Sequence, residues 1–314
     1  MKIQFLGTGA GQPSKQRNVS SLALTLLDEL NEIWLFDCGE ATQHQILRTN
    51  IRLRKVTKIF ISHNHGDHIF GLPGLLSTRS FQGDVGPLTI YGPAGLEQFV
   101  RTSMRVSKTK LSYPIKFVVI DGPGLIVDEK GFKVYTDKLK HRIDSFGFRI
   151  EEADKTGELQ IDKLAKYQIP NGPIFGQLKN GETVTLADGT VLDGHDFLGP
   201  DKPGRIVTII YDTRRADSIA KLAKNADLLV HESTFNADEA KMAKNYYHST
   251  CLDAATIARD NGVKELYLDH LSARYIGAKA LELEKQAQSV FPNTTVANDL
   301  DQVEILAKGA KTDE

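Results

Sequence analysis

The chain has 314 residues, 40% of them hydrophobic, with 39 basic against 40 acidic side chains and a formal charge of −1. That length can bury a large core, as one elaborated domain or two small ones, and the near-neutral balance gives no global reason to expect an anionic partner. No apolar run approaches the roughly 18 residues of a spanning helix, Leu22–Leu27 is too short and too far in for a signal-peptide core, and Cys38 and Cys251 lack the spacing of a disulfide framework or a Cys-rich metal site. The expectation is a cytoplasmic protein with no membrane anchor and two reduced, buried thiols.

In chain order, Met1–Leu6, Leu22–Leu27 and Ile33–Asp37 read as strands, with Gly7–Asn18 as a long polar loop between the first two. Val56–Ser62 (VTKIFIS), apolar and β-branched, reads as a buried strand, and an apolar-periodic helix is expected from about Ile69 to Ser80. Leu88–Tyr91, a helix over Ala94–Val106, Ile115–Ile120 and Lys133–Leu139 follow, an α/β organisation. From about Glu151 to Arg205 the character changes. Pro170, Asn171-Gly172-Pro173, Asn180-Gly181, Asp188-Gly189, Asp193-Gly194 and Gly199-Pro200 break any long element, so this stretch reads as an inserted arm. Alternation then resumes with Ile206–Tyr211, a helix over Ala216–Lys224, Leu228–His231, helices over Asp238–Asn245 and Leu252–Asn261, and Lys264–Leu268. A last helix and short strands around Thr295 and Val303 close the chain, and no solenoid-type repeat is visible.

The chemistry concentrates in His63-Asn64-His65-Gly66-Asp67-His68, directly after the Val56–Ser62 strand. Alternate residues of an extended segment project to one side, so His63, His65 and Asp67 can converge, with His68 joining as the chain turns at Gly66. Imidazole and carboxylate together suit zinc, with manganese or iron as competitors. His141, Asp212 and His270 each follow a strand, where sites of α/β cores gather. The seven residues can be assembled into one two-metal site. Of the other histidines, His44 reads as structural and His195 as a surface residue, while His231 or His248 could serve as a proton donor. Two basic stretches, Arg48 to Lys58 and Arg101 to Lys116, are either solvated faces or tracks for a phosphate backbone.

These residues resemble the metallo-β-lactamase superfamily, and within it the short-form ribonuclease Z family of tRNA 3′-processing endonucleases. His63–His68 matches the superfamily's HxHxDH signature. More specific are Pro13-Ser14-Lys15-Gln16-Arg17-Asn18 (a PxKxRN loop), Phe36-Asp37-Cys38-Gly39-Glu40-Ala41-Thr42-Gln43, Gly71-Leu72-Pro73-Gly74-Leu75, His231-Glu232-Ser233-Thr234 and His248-Ser249-Thr250. The resemblance implies a single domain over 1–314 with an αββα four-layer sandwich, and an inserted, protruding tRNA-binding arm over about 151–200 whose Gly/Pro-rich tip falls at Gly172-Pro173. It implies two zinc ions per subunit, one held by His63, His65 and His141, the other by Asp67, His68 and His270, with Asp212 bridging and manganese a possible substitute. It also implies a homodimer. Tyr211 stands where a glycine is common in the family and Asp269 where a threonine is common, and strand alternation points both away from the metals.

The mechanism that follows is phosphodiester hydrolysis, which two metal ions favour by activating water and stabilising both oxygens at phosphorus. Asp67 is the expected general base and His248 the acid that protonates the leaving 3′ oxygen, with Glu232 holding its tautomer. The products would be a tRNA 3′-hydroxyl and a trailer 5′-phosphate. Lys15, Arg17 and Asn18 would hold the acceptor end of the precursor tRNA. The alternatives are a hydrolase of the same fold acting on a small phosphodiester or thioester, and a noncatalytic RNA-binding subunit that keeps metals for folding.

Overall fold

The β-branched and aromatic runs become the strands of two seven-stranded sheets in the computed structural model, which describes residues 1–83, 85–169 and 172–307. The breaks expected at Pro170 and Asn171 lie outside the described residues. The chain divides into two compact units, one made of Met1–Glu151 with Ile206–Ile305, the other containing Glu152–Arg205.

The first unit carries both large sheets. In chain order the strands are β1 (Lys2–Gly7), β2 (Ser21–Leu26), β3 (Glu32–Phe36), β4 (Val56–Phe60), β5 (Leu88–Gly92), β6 (Ile115–Val119), β7 (Gly124–Glu129), β8 (Phe132–Lys138), β9 (Phe146–Glu152), β10 (Ile206–Ile210), β11 (Leu228–Glu232), β12 (Glu265–Asp269), β13 (Thr294–Val296) and β14 (Gln302–Glu304). One sheet runs β14-β1-β2-β3-β4-β5-β6 and the other β13-β12-β11-β10-β9-β8-β7. The helices are α1 (Thr42–Ile46), α2 (Gly66–Ile69), α3 (Leu72–Ser80), α4 (Leu96–Val106), α5 (Ile161–Leu164), α6 (Pro173–Lys179), α7 (Asp217–Ala223), α8 (Ala240–Tyr246), α9 (Cys251–Asp260) and α10 (Ala278–Gln288).

The layers follow from which faces are apolar. Phe5, Trp34, Phe36, Phe60, Phe148 and Tyr211 pack between the sheets, with Phe60 stacked on Phe36 at 4.9 Å and on Tyr91 at 4.8 Å. Leu72, Leu75, Leu76 and Val100 of α3 and α4 cover the far face of the first sheet over Leu35, Ile59 and Ile90. Ile219, Ala254, Ala258 and Leu283 of α7, α9 and α10 cover the second over Ile210, Leu229 and Leu266. The result is the expected helix-sheet-sheet-helix sandwich, whose parallel strands are buried on both faces and therefore read as continuous apolar runs. Strands β3 to β6 pair in parallel, as do β10 to β13. The C-terminal ends of β4, β10, β11 and β12 lead into His63–His68, Asp212, the segment after Glu232, and His270.

Three local expectations are corrected. The helix expected to begin near Ile69 starts earlier and is broken: α2 takes in Gly66–Ile69, so Asp67 and His68 sit on a helical turn and not on an extended segment. Gly66 has no positive φ and meets only the exposed Phe70 ring. The glycines that matter structurally are Gly39 and Gly71. His68 O accepts from Cys38 N (2.8 Å), Gly71 N donates to Cys38 O (3.0 Å), and a Cβ on Gly71 would lie 1.9 Å from Gly39 O. Because backbone cannot swing aside, Gly71→Ala should destabilise the fold by about 3 kcal/mol or more, which thermal unfolding would read as a clear drop in melting temperature.

Lys58 is the second correction. It leaves the first basic stretch for the interior, where it pairs with Glu32 (3.3 Å) and Glu129, and its neighbour Lys130 helps hold the Glu32 carboxyl down to about 2 against the opposing effect of burial. Third, β7 and β9 were not anticipated. Phe146–Glu152 does alternate buried and half-buried positions near its end, but it runs straight into the polar stretch read as an arm. Both cysteines are free and buried, and burial pushes each thiol up to about 12. Among the described residues no helix is long and apolar enough to cross a membrane.

The second unit has its own small core of Leu164, Leu178, Val184, Leu192 and Phe197, formed by α5, α6 and a hairpin of Thr183–Thr185 with Val191–Asp193. Its two chain ends are clamped together. Arg205 forks onto Glu152 through Nε (2.6 Å) and an Nη (2.8 Å), and Glu152 N donates to Arg205 O (2.9 Å). Gly172 leads into α6 and Pro173 is its first residue, where a missing N–H costs nothing. His195 is exposed and bonds Asp193 at 2.9 Å, the surface role expected of it.

Candidate metal centre

Seven side chains from loops after β4, β8, β10 and β12 meet at one edge of the sandwich of the first unit. His63 Nε2 and His141 Nε2 lie 3.0 and 3.1 Å from His65 Nδ1. Asp212 Oδ2 faces this trio, 3.6 Å from His63 and 3.8 Å from His141. Its other oxygen, Oδ1, lies 3.0 Å from His270 Nε2 and 3.4 Å from His68 Nε2, and His68 Nε2 is 3.4 Å from Asp67 Oδ2. The donors fall into His63/His65/His141/Asp212 and Asp67/His68/His270, with an overlapping set of Asp212, His248 and His270, and Asp212 presents one oxygen to each of the first two.

The partners behind the ring fix the tautomers. Ser62 Oγ donates to Asp37 Oδ2 (2.7 Å), so it accepts from His63 Nδ1 (3.0 Å). His68 Nδ1 donates to Asp37 Oδ2 (2.6 Å) and His141 Nδ1 to Tyr247 O (3.1 Å). In His63 and His141 the proton is thus on Nδ1 and the Nε2 lone pair points into the cluster, the arrangement of a metal-ligating histidine, and His68 would offer its Nε2 in the same way with a cation in place of that proton. His270 Nδ1 is held by Ser20 Oγ at 2.7 Å. Asp67 is steadied by Gly11 N, which donates to Oδ2 at 2.8 Å.

Charge points the same way. Burial keeps His63 well below its ordinary range and also lowers His65 and His141, which leaves all three neutral and free to donate lone pairs. Burial opposes ionisation of His68 too, but Asp212, Asp37 and Asp67 outweigh it and raise this ring well above the usual imidazole range. Asp212 is held well below the carboxylate range, burial being overcome by His270 and His68. The site is thus a nest of carboxylates with too little positive charge. Two buried atoms that face one another, His68 Nε2 and Asp212 Oδ1, lack any hydrogen-bond partner. A buried polar group left so is costly, and a cation between them satisfies both. The residues fit bound metal.

Beside the ligands stands His248. Glu232, fully buried at the end of β11, accepts from His248 Nδ1 (3.0 Å), Thr213 N (3.0 Å) and Ser249 N (3.1 Å) through Oε1, and from Thr234 N and Oγ1 through Oε2. His248 Nε2 is left facing Asp212 Oδ2 at 3.9 Å. Burial pulls this imidazole down, but Glu232 and Asp212 outweigh it and lift it to about 9. His231 is buried with its Nδ1 on Glu232 O (2.7 Å) and lowered by burial. It does not border the cavity of about 330 Å³ that opens over the ligands, whereas His248 does.

A family model described as anti-Pycsar protein Apyc1 matches residues 1–113. The ribonuclease Z of Lactobacillus acidophilus is 75% identical over 311 residues, covering 99% of this chain and 100% of that one. The chain belongs to the ribonuclease Z family. The crystal structure of the short form of human tRNase Z superposes with a TM-score of 0.69 at 32% identity, covering 98% of this chain and 100% of the other. The metallo-β-lactamase fold protein YhfI of Bacillus subtilis, at 22% identity and a TM-score of 0.67 over 96% of this chain and 98% of its own, shares the fold. As a ribonuclease Z the protein is a hydrolase, a tRNA 3′-processing endoribonuclease.

Within this ribonuclease Z the two family departures sit behind the site. Neither Tyr211 nor Asp269 borders the cavity over the ligands. Tyr211 is buried in the core with its ring edge-on to His68 at 5.5 Å, and Asp269, raised to about 7 by burial, accepts from His270 N (2.7 Å). In the loop before β2, Lys15 is exposed while Asn18 Nδ2 donates to Glu40 O (2.8 Å). Arg17 departs from its expected place at the acceptor end. It is buried, with contacts to Thr8 Oγ1 (2.6 Å), Ala297 O (2.5 Å) and Asn298 Oδ1 (3.0 Å), so its charge anchors the loop from inside. His44 lies on the exposed face of α1, outside the cluster. Sequence reasoning passed over Ser20 and Ser62, which fix ligand rings, and Gly11. A serine next to a strand end carries no local signal of such a role.

Proposed function

We propose that this ribonuclease Z removes the 3′ trailer of precursor tRNA with two zinc ions, one held by His63, His65 and His141 and one by Asp67, His68 and His270, bridged by Asp212, with manganese as a substitute. The observation that carries this reading is Asp212, whose two oxygens face two separate donor groups. Ions bound there would supply Lewis acidity, lowering the pKa of a water towards neutrality and neutralising charge that develops at phosphorus.

The remaining work falls to side chains. Asp67 takes a proton from the attacking water as its oxygen bonds to phosphorus. His248 gives the proton on Nε2 to the 3′ oxygen as the P–O3′ bond breaks. Glu232 keeps Nδ1–H engaged, so Nε2 is the atom that faces the reacting centre. The products are a tRNA 3′-hydroxyl and a trailer 5′-phosphate. Lys15 and Asn18 hold the acceptor end with Arg17 bracing their loop, and the 152–205 unit, with Gly172 and Pro173, is the inserted arm that grips tRNA away from the cut. Recognition by phosphates and shape makes binding fall steeply with salt. The working form is a cytoplasmic homodimer.

The test is a precursor tRNA with a 3′ trailer, incubated with the purified chain, with an Asp67→Ala variant and with a chelator, and mapped at nucleotide resolution. One cut just after the discriminator base, lost in both controls, is expected. Metal-dependent hydrolysis of a small phosphodiester or thioester with intact tRNA left uncut would overturn it.

A further inference from the structure

His248 borders two cavities. One opens over the metal ligands; the other, about 420 Å³ and so in the size range of ligand sites, is lined by Lys140, Arg214, Arg215, Lys244, His248 and Asp253 among others. Four fixed cations thus surround one carboxylate. Arg214 N donates to Lys140 O (3.0 Å) and Lys140 N to Thr213 Oγ1 (3.1 Å), which locks both basic residues to the segments carrying His141 and Asp212. The Arg214 guanidinium sits over the Tyr247 ring, 4.3 Å from its centroid, held by a group of no net charge. Arg215 lies 3.7 Å from Asp253, whose other oxygen is engaged by Thr250 N and Oγ1 at the start of α9. Among the described residues Lys140 and Lys244 have no ion pair, and both side chains are exposed. A concave site with so unbalanced a charge attracts an anion.

Which anion follows from the reaction, on the reading above that His248 is the acid. In an in-line displacement the attacking and leaving oxygens lie on opposite sides of phosphorus. The proton donor must stand on the leaving side, and that side is the tRNA's 3′ oxygen. The basic cavity shares that donor with the cavity over the metal cluster, so His248 joins the two. We infer that it holds a backbone phosphate of the mature tRNA strand just 5′ of the cut, and not one of the trailer. It makes Arg214, Arg215, Lys140 and Lys244 positioning residues that set the scissile bond against His248.

The measurement is the Kd of mature tRNA, without a trailer, for the metal-loaded chain, for Arg215→Ala/Lys244→Ala, and for Lys221→Ala/Lys224→Ala, which removes the same charge from the C-terminal end of α7 and the residue after it. Metal content and melting temperature of each variant report on its fold. The cavity variant should bind mature tRNA about tenfold or more weakly, with a log Kd against log salt slope shallower by about 1 to 2. KM for the precursor should rise by the same factor, since the contact is to the part that product and precursor share, while kcat moves less. Wild-type-like binding by the cavity variant, an equal loss in the α7 variant, or a loss seen with the precursor alone would each overturn the inference. A wild-type chain that neither binds nor cuts tRNA would be a different failure, that of the tRNA reading itself, and the inference would fall with it.

Discussion

Asp212→Ala should leave the protein with little bound metal and slow precursor cutting by on the order of 10³-fold or more. Asp212 serves both donor groups: Oδ1 lies 3.0 Å from His270 and 3.4 Å from His68, and Oδ2 lies 3.6 Å from His63 and 3.8 Å from His141. Deleting it removes one donor from each group and the charge that offsets two dications. Elemental analysis of the purified variant, beside its cutting rate, checks the result. A variant with full metal content and near wild-type cutting would sink the bridging role, since three imidazoles in one group and Asp67 with two imidazoles in the other would then have sufficed.

The second large effect is chemical and leaves the metals in place. His248→Ala should lower kcat on precursor tRNA by about 10²- to 10⁴-fold, the usual span for losing a general acid. The diagnostic is the leaving group. A ribose 3′ oxygen departs only with a proton, whereas p-nitrophenolate departs without one, so hydrolysis of bis(p-nitrophenyl) phosphate should suffer far less than RNA cutting. Equal losses on both substrates would mean that His248 acts by position and not by proton donation. Glu232→Gln is the less clean experiment, because Glu232 also accepts from the backbone at Thr213, Thr234 and Ser249, so part of its loss would be structural.

The clustered donor side chains are legible in the sequence where chemistry is locally dense. His63, His65, Asp67 and His68 announce themselves by spacing, and His141, Asp212 and His270 by standing at the ends of apolar runs that do become β8, β10 and β12. What stayed hidden depends on distant parts of the chain. Asp37 reads only as a strand end and part of a resembling stretch, yet it holds both Ser62 and His68. The break between α2 and α3 comes from backbone contact with Cys38 and Gly39, some thirty positions upstream, which no helical periodicity reports. Charge misled where burial decided: Arg17 and Lys58 read as solvent-facing cations and are interior ones, because each found acceptors on other elements.

The spread of the ligands along the chain has a consequence for biosynthesis. His63 to His68 leave the ribosome early, as a segment with incomplete coordination, while Asp212, His248 and His270 arrive on or beside the parallel strands β10 to β12, whose pairing waits for the chain to be nearly finished. Parallel pairing between remote segments is slow to form, so a nascent chain offers metal only a partial, weak set of donors. On the two-metal reading full loading is a late event that follows closure of the second sheet, and a chain truncated before β12 should show no nuclease activity.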